Sequence, residues 1–231
     1  MTALQPTLAL IPARGGSKGI PDKNLCLVGE LTLTARAVRC ARETKRFDRI
    51  VVSTDSEAIA ADARREGADV IRRPAHLASD TADVAEAIKH ALAVLAGAGF
   101  APQVVALLEP SSPLRTPAMV EQALAALDAA DAAFTVSPVP LRFHPRKQFH
   151  VEDGGAARWV FPNPPPVRRQ ELTPTFVQNG AVYAFRTSMF RAHRSVFGPT
   201  PRAVIIEAPL VNIDGPEDLT AAQRLAAEGR G

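Results

Sequence analysis

Residues 8–24 read LALIPARGGSKGIPDKN, a stretch that joins a short apolar run, a glycine pair and the cations Arg14, Lys18 and Lys23. Leu8 to Ile11 has the composition of a buried parallel strand, and Pro12 with Gly15-Gly16 ends it. The chain then enters a loop at the carboxyl end of the first strand, the edge at which open α/β sheets bind ligands. Glycine lets backbone N–H groups approach an anion with no Cβ in the way, and the cations offset phosphate charge. The stretch therefore reads as a polyphosphate loop. Two familiar phosphate loops are excluded by spacing. Gly16-Ser17-Lys18-Gly19 puts the serine before the lysine, which breaks the Walker A order, and Pro21 disfavours helix at Ile20, where a dinucleotide fingerprint would open one.

Downstream, strand-length apolar runs alternate with helix-period stretches. Ile50 to Val52 precedes a helix that Ser56 caps and that runs to Glu66. Val70-Ile71 is a third strand, Asp83 to Leu95 an amphipathic helix, and Val104 to Leu108 a central strand ending at Glu109-Pro110. Ala118 to Leu127 comes after Pro117 as a helix, and Ala132 to Val136 is another strand. This alternation predicts an α/β fold with a mostly parallel, doubly wound sheet. From residue 138 to 176 the rhythm changes to a proline-rich insert, with Pro162 and Pro164-Pro165-Pro166. Within it Gln148 to Val160 is a predicted β-hairpin turning at Asp153-Gly154-Gly155. The insert is read as an arm that packs on a second subunit rather than a lid. Ala181 to Phe185 then resumes the core, Val204 to Ala208 adds an edge strand, and Pro216 to Glu228 closes with a helix.

The 231 residues suit a single domain, 1–231, carrying the inserted arm 138–176. A formal net charge of +3 with 5% aromatic residues and no basic stripe points to small anionic ligands and away from nucleic acid. Cys26 and Cys40 fit a reducing cytoplasm better than a disulfide framework, and no uncharged apolar stretch is long enough to span a membrane. No Ser-His-Asp or Cys-His nucleophile arrangement is identifiable, and the histidines lack metal spacing.

The segments IPARGGSKGIPDKN, STDSEAIAADARREGADVIRRP, LLEPSSPLRT, RRQEL, QNGAVYAF and NIDGPEDL occur in this order between residue 8 and about residue 226. In wording and spacing they resemble the acylneuraminate cytidylyltransferases, the CMP-sialic acid synthetases and their relatives for other nonulosonic acids. The resemblance implies a Rossmann-like nucleotidyltransferase whose protruding hairpin forms a homodimer. It also implies an Mg²⁺-dependent reaction of CTP with a sialic-acid-like sugar acid, in cytoplasmic supply of cell-surface glycans. A 3-deoxy-octulosonate-type cytidylyltransferase is the alternative enzyme, and an inactive nucleotide-binding paralogue the alternative outside catalysis.

By this likeness Arg14, Lys23 and Asp214 are the catalytic candidates. Arg14, Ser17 and Asn24, with the loop amides of Ala13, Gly15 and Gly16, would hold the triphosphate. Arg72 or Arg73, with Arg73 taken first, and Ser79 fall where cytidine and ribose are met. Glu109, Ser111, Arg115, Arg168, Arg169, Gln170, Gln178 and Asn179 fall where the sugar is met. An arginine fork suits its carboxylate, with Arg168 and Arg169 equally placed. His144, Arg146 and Lys147 lie at the start of the arm, where a neighbouring subunit's site is within reach. Asp214 is the first metal ligand, since Mg²⁺ takes one or two carboxylates and completes its shell from phosphate; the alternative is an acid at the start of the last helix. The chain departs from the family's wording twice. Asn212 stands where Asp-x-Asp usually begins and is the second metal candidate through its amide oxygen, with one charge lost and so weaker metal binding or a ligand recruited elsewhere; Glu109 replaces the glutamine before the Pro-Ser-Ser-Pro-Leu-Arg run. An ionised glutamate only accepts hydrogen bonds, so Glu109 is expected to meet hydroxyls, an amine or Arg115 rather than a sugar carboxylate.

Overall fold

The computed structural model describes residues 5–79, 83–161 and 168–229, the Arg169 side chain excepted. The proline run at Pro162 to Pro166 and the tail at Arg230-Gly231 lie outside the described residues. In chain order the strands are β1 (Thr7–Pro12), β2 (Leu27–Val28), β3 (Leu31–Thr32), β4 (Arg49–Thr54), β5 (Asp69–Arg72), β6 (Val104–Leu107), β7 (Ala132–Pro138), β8 (Phe149–Val151), β9 (Ala157–Trp159), β10 (Phe176–Arg186) and β11 (Arg202–Ile205). The helices are α1 (Leu33–Thr44), α2 (Glu57–Arg65), α3 (Val84–Gly97), α4 (Pro117–Ala125), α5 (Thr187–His193) and α6 (Pro216–Ala227).

Seven strands form one sheet in the order β11-β7-β10-β6-β1-β4-β5. β1 pairs in parallel with both β4 and β6, and β10 runs antiparallel to β6 and β7. The chain thus steps from β1 outward through β4 and β5, then crosses back to place β6 on the other side of β1. Between β1 and β6 the winding reverses, so their carboxyl ends open a crevice, the usual ligand position in such sheets.

Alternation along β1 builds the core on both faces. Ala9 and Ile11 pack with Val38 and Ala41 of α1, Ile59 of α2 and Val120 of α4. Leu8 and Leu10 face the opposite side, with Ile88 and Leu92 of α3, Phe185, and Phe190 of α5. A third, smaller cluster joins Ile20 of the glycine loop to Val28, Leu33, Ile213 and Ala222, and so seats the loop against α6.

Helix starts obey the expected chemistry. Ser56 accepts from the Ile59 N–H at 3.4 Å, Asp83 caps α3, and Pro117 opens α4. Helices α1 and α5 are absent from the expectation. The buried stripe of α1 joins Leu33, Ala35, Ala37, Val38, Cys40 and Ala41 to Thr34 and Thr44, and Thr32 caps it through the Ala35 N–H at 2.9 Å. Cys40 lies in that stripe, where burial pushes its thiol up to about 11.

Two strands differ from expectation. β10 begins at Phe176 and carries a register shift between Gln178 and Tyr183, where Gly180 sits at φ 68°. The edge strand lies earlier than expected: its ladder ends as the Ile206 N–H donates to Val136 O, and Pro209 soon after has no N–H to offer. The insert between β7 and β10 contains the hairpin β8–β9, with Phe149 paired to Trp159 and both Gly154 and Gly155 at positive φ. Among the described residues no helix is long and apolar enough to cross a membrane.

Phe185 is fully buried between α3 and α5. Phe185→Ala is expected to destabilise the chain by about 3–5 kcal/mol, and Thr32→Ala by about 1 kcal/mol through loss of the α1 cap, both read from denaturant unfolding.

Candidate active site

The crevice between the ends of β1 and β6 is a cleft of about 530 Å³. Its floor is the glycine loop, contributing Arg14, Ser17, Lys18, Gly19, Lys23 and Asn24. One wall is Arg73 after β5, with Ser79 and the first turn of α3. The other is Glu109 and Ser111 after β6, with Asn212 and Asp214 ahead of α6. Ten of the residues chosen from the sequence thus converge, although they come from four separate parts of the chain.

The loop is held by its own backbone and by neighbours. The Asn24 side chain donates to Arg14 O at 2.8 Å and closes the loop on itself, while Thr34 Oγ1 donates to Asn24 O at 3.0 Å. Asp22, at φ 48°, turns the chain into the short 3-10 turn Lys23–Leu25. The Ala13 N–H continues the sheet ladder to Ser53 O at 3.0 Å, and the Gly15 N–H donates to the Asp55 carboxylate at 2.8 Å. These two amides are therefore engaged within the protein, which corrects the expectation that both face phosphate; Ala13 is also fully buried. Gly16 remains exposed at φ 63°. Asp55 escapes sequence reasoning, in which STDS marks only the end of a strand.

The loop meets the last segment of the fold through close contact. A Cβ on Gly19 would stand 2.5 Å from the backbone oxygen of Asp214, so only glycine permits this approach. Lys23 Nζ donates to Ile213 O at 2.8 Å and lies 3.8 Å from Asp214 Oδ1. Within the second wall the Ile213 N–H donates to Ser111 O at 2.8 Å. The helix-start role belongs to Asp218, which accepts from the N–H groups of Asp214 and Gly215 at 3.0 and 2.9 Å. Those backbone donors hold the Asp218 carboxyl below its ordinary value. Asp214 is left with its side chain 80% exposed at the lip of the cleft.

Two arginines are buried beside the site. Arg73 donates to Ser53 through Nε at 3.2 Å and Nη2 at 2.8 Å. Burial lowers its pKa, Asp55 opposes the shift, and Arg14 adds to it. Arg115 does not reach the cleft: it is buried and donates to the backbone oxygens of Ala181 and Glu109. Its place among the sugar contacts is corrected to that of a strut behind Glu109. The Glu109 carboxyl is pushed up by burial and by Asp214, while Arg115 and Lys23 oppose.

Other expected sugar contacts lie away from the cleft lining. Asn179 is buried, its Oδ1 accepting from Thr135 Oγ1 at 2.6 Å and from the Ala181 N–H at 3.1 Å. Gln178, Arg168 and Gln170 are exposed, the last two beside the 3-10 turn Arg169–Glu171, and the Arg169 side chain lies outside the described residues. His144 is a buried tie at the base of the arm. Its Nδ1 accepts from the Arg146 N–H at 3.1 Å, which leaves Nε2 to donate to Thr173 O at 3.0 Å, so it is not offered to a second subunit.

A cationic glycine loop at the switch point of a mostly parallel sheet, facing an exposed carboxylate, defines the nucleotidyltransferase class. Residues 8–193 match the cytidylyltransferase family, and the chain belongs to it. It is 32% identical over 226 residues to post-translational flagellin modification protein B of Campylobacter coli, covering 96% of this chain and 95% of that protein. It is 41% identical over 108 residues to an N-acylneuraminate cytidylyltransferase of Escherichia coli O18:K1:H7, covering 47% of this chain and only 25% of that longer relative. The structure of a CMP:2-keto-3-deoxy-manno-octonic acid synthetase complexed with CTP shares the fold, with a TM-score of 0.72 over 97% of this chain and 99% of that one at 17% identity.

The Gly19 contact is directly testable. Gly19→Ala is expected to cost about 1–3 kcal/mol by forcing backbone apart. Gly97→Ala, at the end of α3 with nothing within 4 Å of the added Cβ, is expected to be neutral or to stabilise by up to about 1 kcal/mol. Denaturant unfolding of the pair measures the difference.

Proposed function

We propose that this chain transfers CMP from CTP to the anomeric hydroxyl of a nonulosonic acid and releases pyrophosphate. The observation that carries the reading is the clamp at Lys23. It sets the exposed Asp214 carboxylate against a cationic glycine loop, at the crevice where this sheet type binds ligands. The cleft volume falls in the range usual for small-molecule sites.

The chemistry asked of the site is mainly positioning and charge neutralisation. The sugar hydroxyl oxygen forms a bond to the α-phosphorus in line with the bridging oxygen toward the β-phosphorus. The bond from the α-phosphorus to that bridging oxygen breaks, and its electron pair leaves with pyrophosphate. Arg14, Lys18 and Lys23 would face the triphosphate, with the base and ribose toward Arg73 and Ser79. Such fixed cations stabilise the charge that develops on the leaving group. The donor set fits Mg²⁺: Asp214 offers a hard carboxylate not engaged in helix capping, and Asn212 adds an amide oxygen on the same wall. When bound, the ion would neutralise phosphate charge as a Lewis acid.

The sugar class is argued from the relatives. One takes its name from N-acylneuraminate and another from flagellin modification, which together favour a nonulosonic acid destined for surface glycans, activated in the cytoplasm. A homodimer fits the arm. Phe149, Val151 and Trp159 lie on the small sheet β8–β9 and are 47%, 71% and 40% exposed, an apolar surface suited to burial against a second copy. In such a dimer Arg168, Arg169 and Gln170, at the return of the arm, would complete the sugar site of the neighbour.

A pyrophosphate-release assay with CTP across a panel of nonulosonic acids tests this. Release is expected only when CTP, Mg²⁺ and a sugar acid are all present. CTP binding without turnover on any acid would favour the inactive-paralogue reading, and turnover confined to 3-deoxy-octulosonate would move the substrate class. Lys23→Ala and Asp214→Ala are each expected to lower kcat/KM on the order of a hundredfold with far-UV circular dichroism unchanged. Wild-type rates in both would remove the assigned roles.

A further inference from the structure

Glu109 occupies a place in which a carboxylate needs explaining. It comes after β6 at the switch point, is half-buried, and lines the cleft with Lys23, Asn212 and Asp214. Its backbone oxygen is held by Arg115, but its carboxylate accepts no hydrogen bond from any described residue. On the function proposed above, on which this inference rests, both substrates bring negative charge into the same space. Asp214 already supplies one carboxylate there. Anions gathered in a partly desolvated cleft repel more strongly than in water.

The nearby ammonium does not remove the difficulty alone, because Lys23 is engaged with Ile213 O at 2.8 Å and paired to Asp214 at 3.8 Å. A divalent cation between carboxylate and phosphate oxygens turns this repulsion into attraction. Mg²⁺ uses one or two carboxylates and takes the rest of its shell from phosphate and water. Among the described residues no three His, Cys, Asp or Glu side chains gather at one point, so a sparse, substrate-completed arrangement is the one that suits this chain.

The two segments that make this wall are also held in fixed relation. The Ile213 N–H donates to Ser111 O at 2.8 Å, which ties the segment after β6 to the segment bearing Asn212 and Asp214. Asn212 is a neutral donor of oxygen, so the segment ahead of α6 brings a single carboxylate to the cleft lining, and Glu109 stands on the segment tied beside it with another. We propose that Glu109 is a carboxylate ligand of the divalent cation that accompanies the nucleotide, shared with Asp214 and compensating for the missing charge at Asn212.

Mn²⁺ serves as the probe, titrated by electron paramagnetic resonance into the full chain with CTP and no sugar acid. Glu109→Gln keeps the size of the side chain and removes only its charge, so thermal midpoint and CTP affinity in EDTA serve as folding controls. Mn²⁺ affinity is expected to fall by about tenfold or more in Glu109→Gln, and to recover when Asn212→Asp is added. Unchanged Mn²⁺ affinity in a folded Glu109→Gln protein overturns the inference and leaves the proposed function standing. Wild-type protein that binds no CTP overturns the reading beneath it.

Discussion

The site depends on one long-range contact, the docking of the loop after β1 on the segment before α6. Lys23 and Ile213 are 190 positions apart, yet the lysine hydrogen-bonds the Ile213 carbonyl, and Gly19 lies directly against the backbone of residue 214. The contact works because each side is separately braced. Asn24 closes the loop from within, Ile20 buries itself beside Ile213, and Asp218 caps α6 so that the chain at Asp214 has a fixed direction. Without this docking the cations and the carboxylate would sit on separate loops whose relative position fluctuates. With it they share one rigid rim, the condition for charge stabilisation that needs little rearrangement.

Much of this fold is legible in the sequence because its central strands are short apolar runs bounded by glycine, proline or a helix cap. β1, β4, β6 and β7 all satisfy that description, as do the capped starts of α2 and α3. Helices α1 and α5 are absent from the expectation, although α1 is amphipathic, with Leu33, Ala37, Val38 and Ala41 buried and Arg39, Arg42 and Glu43 exposed. The reversed direction of β10 is invisible locally, since a fully buried antiparallel strand has the same composition as a parallel one.

Site residues divide along a similar line. Sequence shows which side chains can bind an anion or a sugar; it does not show which of them the backbone already occupies. Arg115, Asn179 and His144 all have suitable chemistry, and each is consumed by main-chain carbonyls or amides of neighbouring segments. Buried polar groups need such partners, and a fold with an irregular strand and a long insert has many carbonyls to satisfy. Asp55 is the converse case. Its residue type gives no distinctive signal, but placement at the end of β4 puts its carboxylate on the Gly15 amide and in the field of Arg73.

These struts bear on the charge balance of the cleft. Guanidinium groups stay protonated even when burial lowers their pKa, so Arg73 and Arg115 hold permanent positive charge beneath the two walls. Their donors are directed to Ser53, Ala181 and Glu109, which fixes the charge in position but leaves part of it to act across the cleft. Arg14 and Lys18 add positive charge from the glycine loop on the floor of the cleft. A cleft organised in this way presents an anionic nucleotide with a field set by braced groups, so that most of the ordering is already built into the folded chain before any ligand binds.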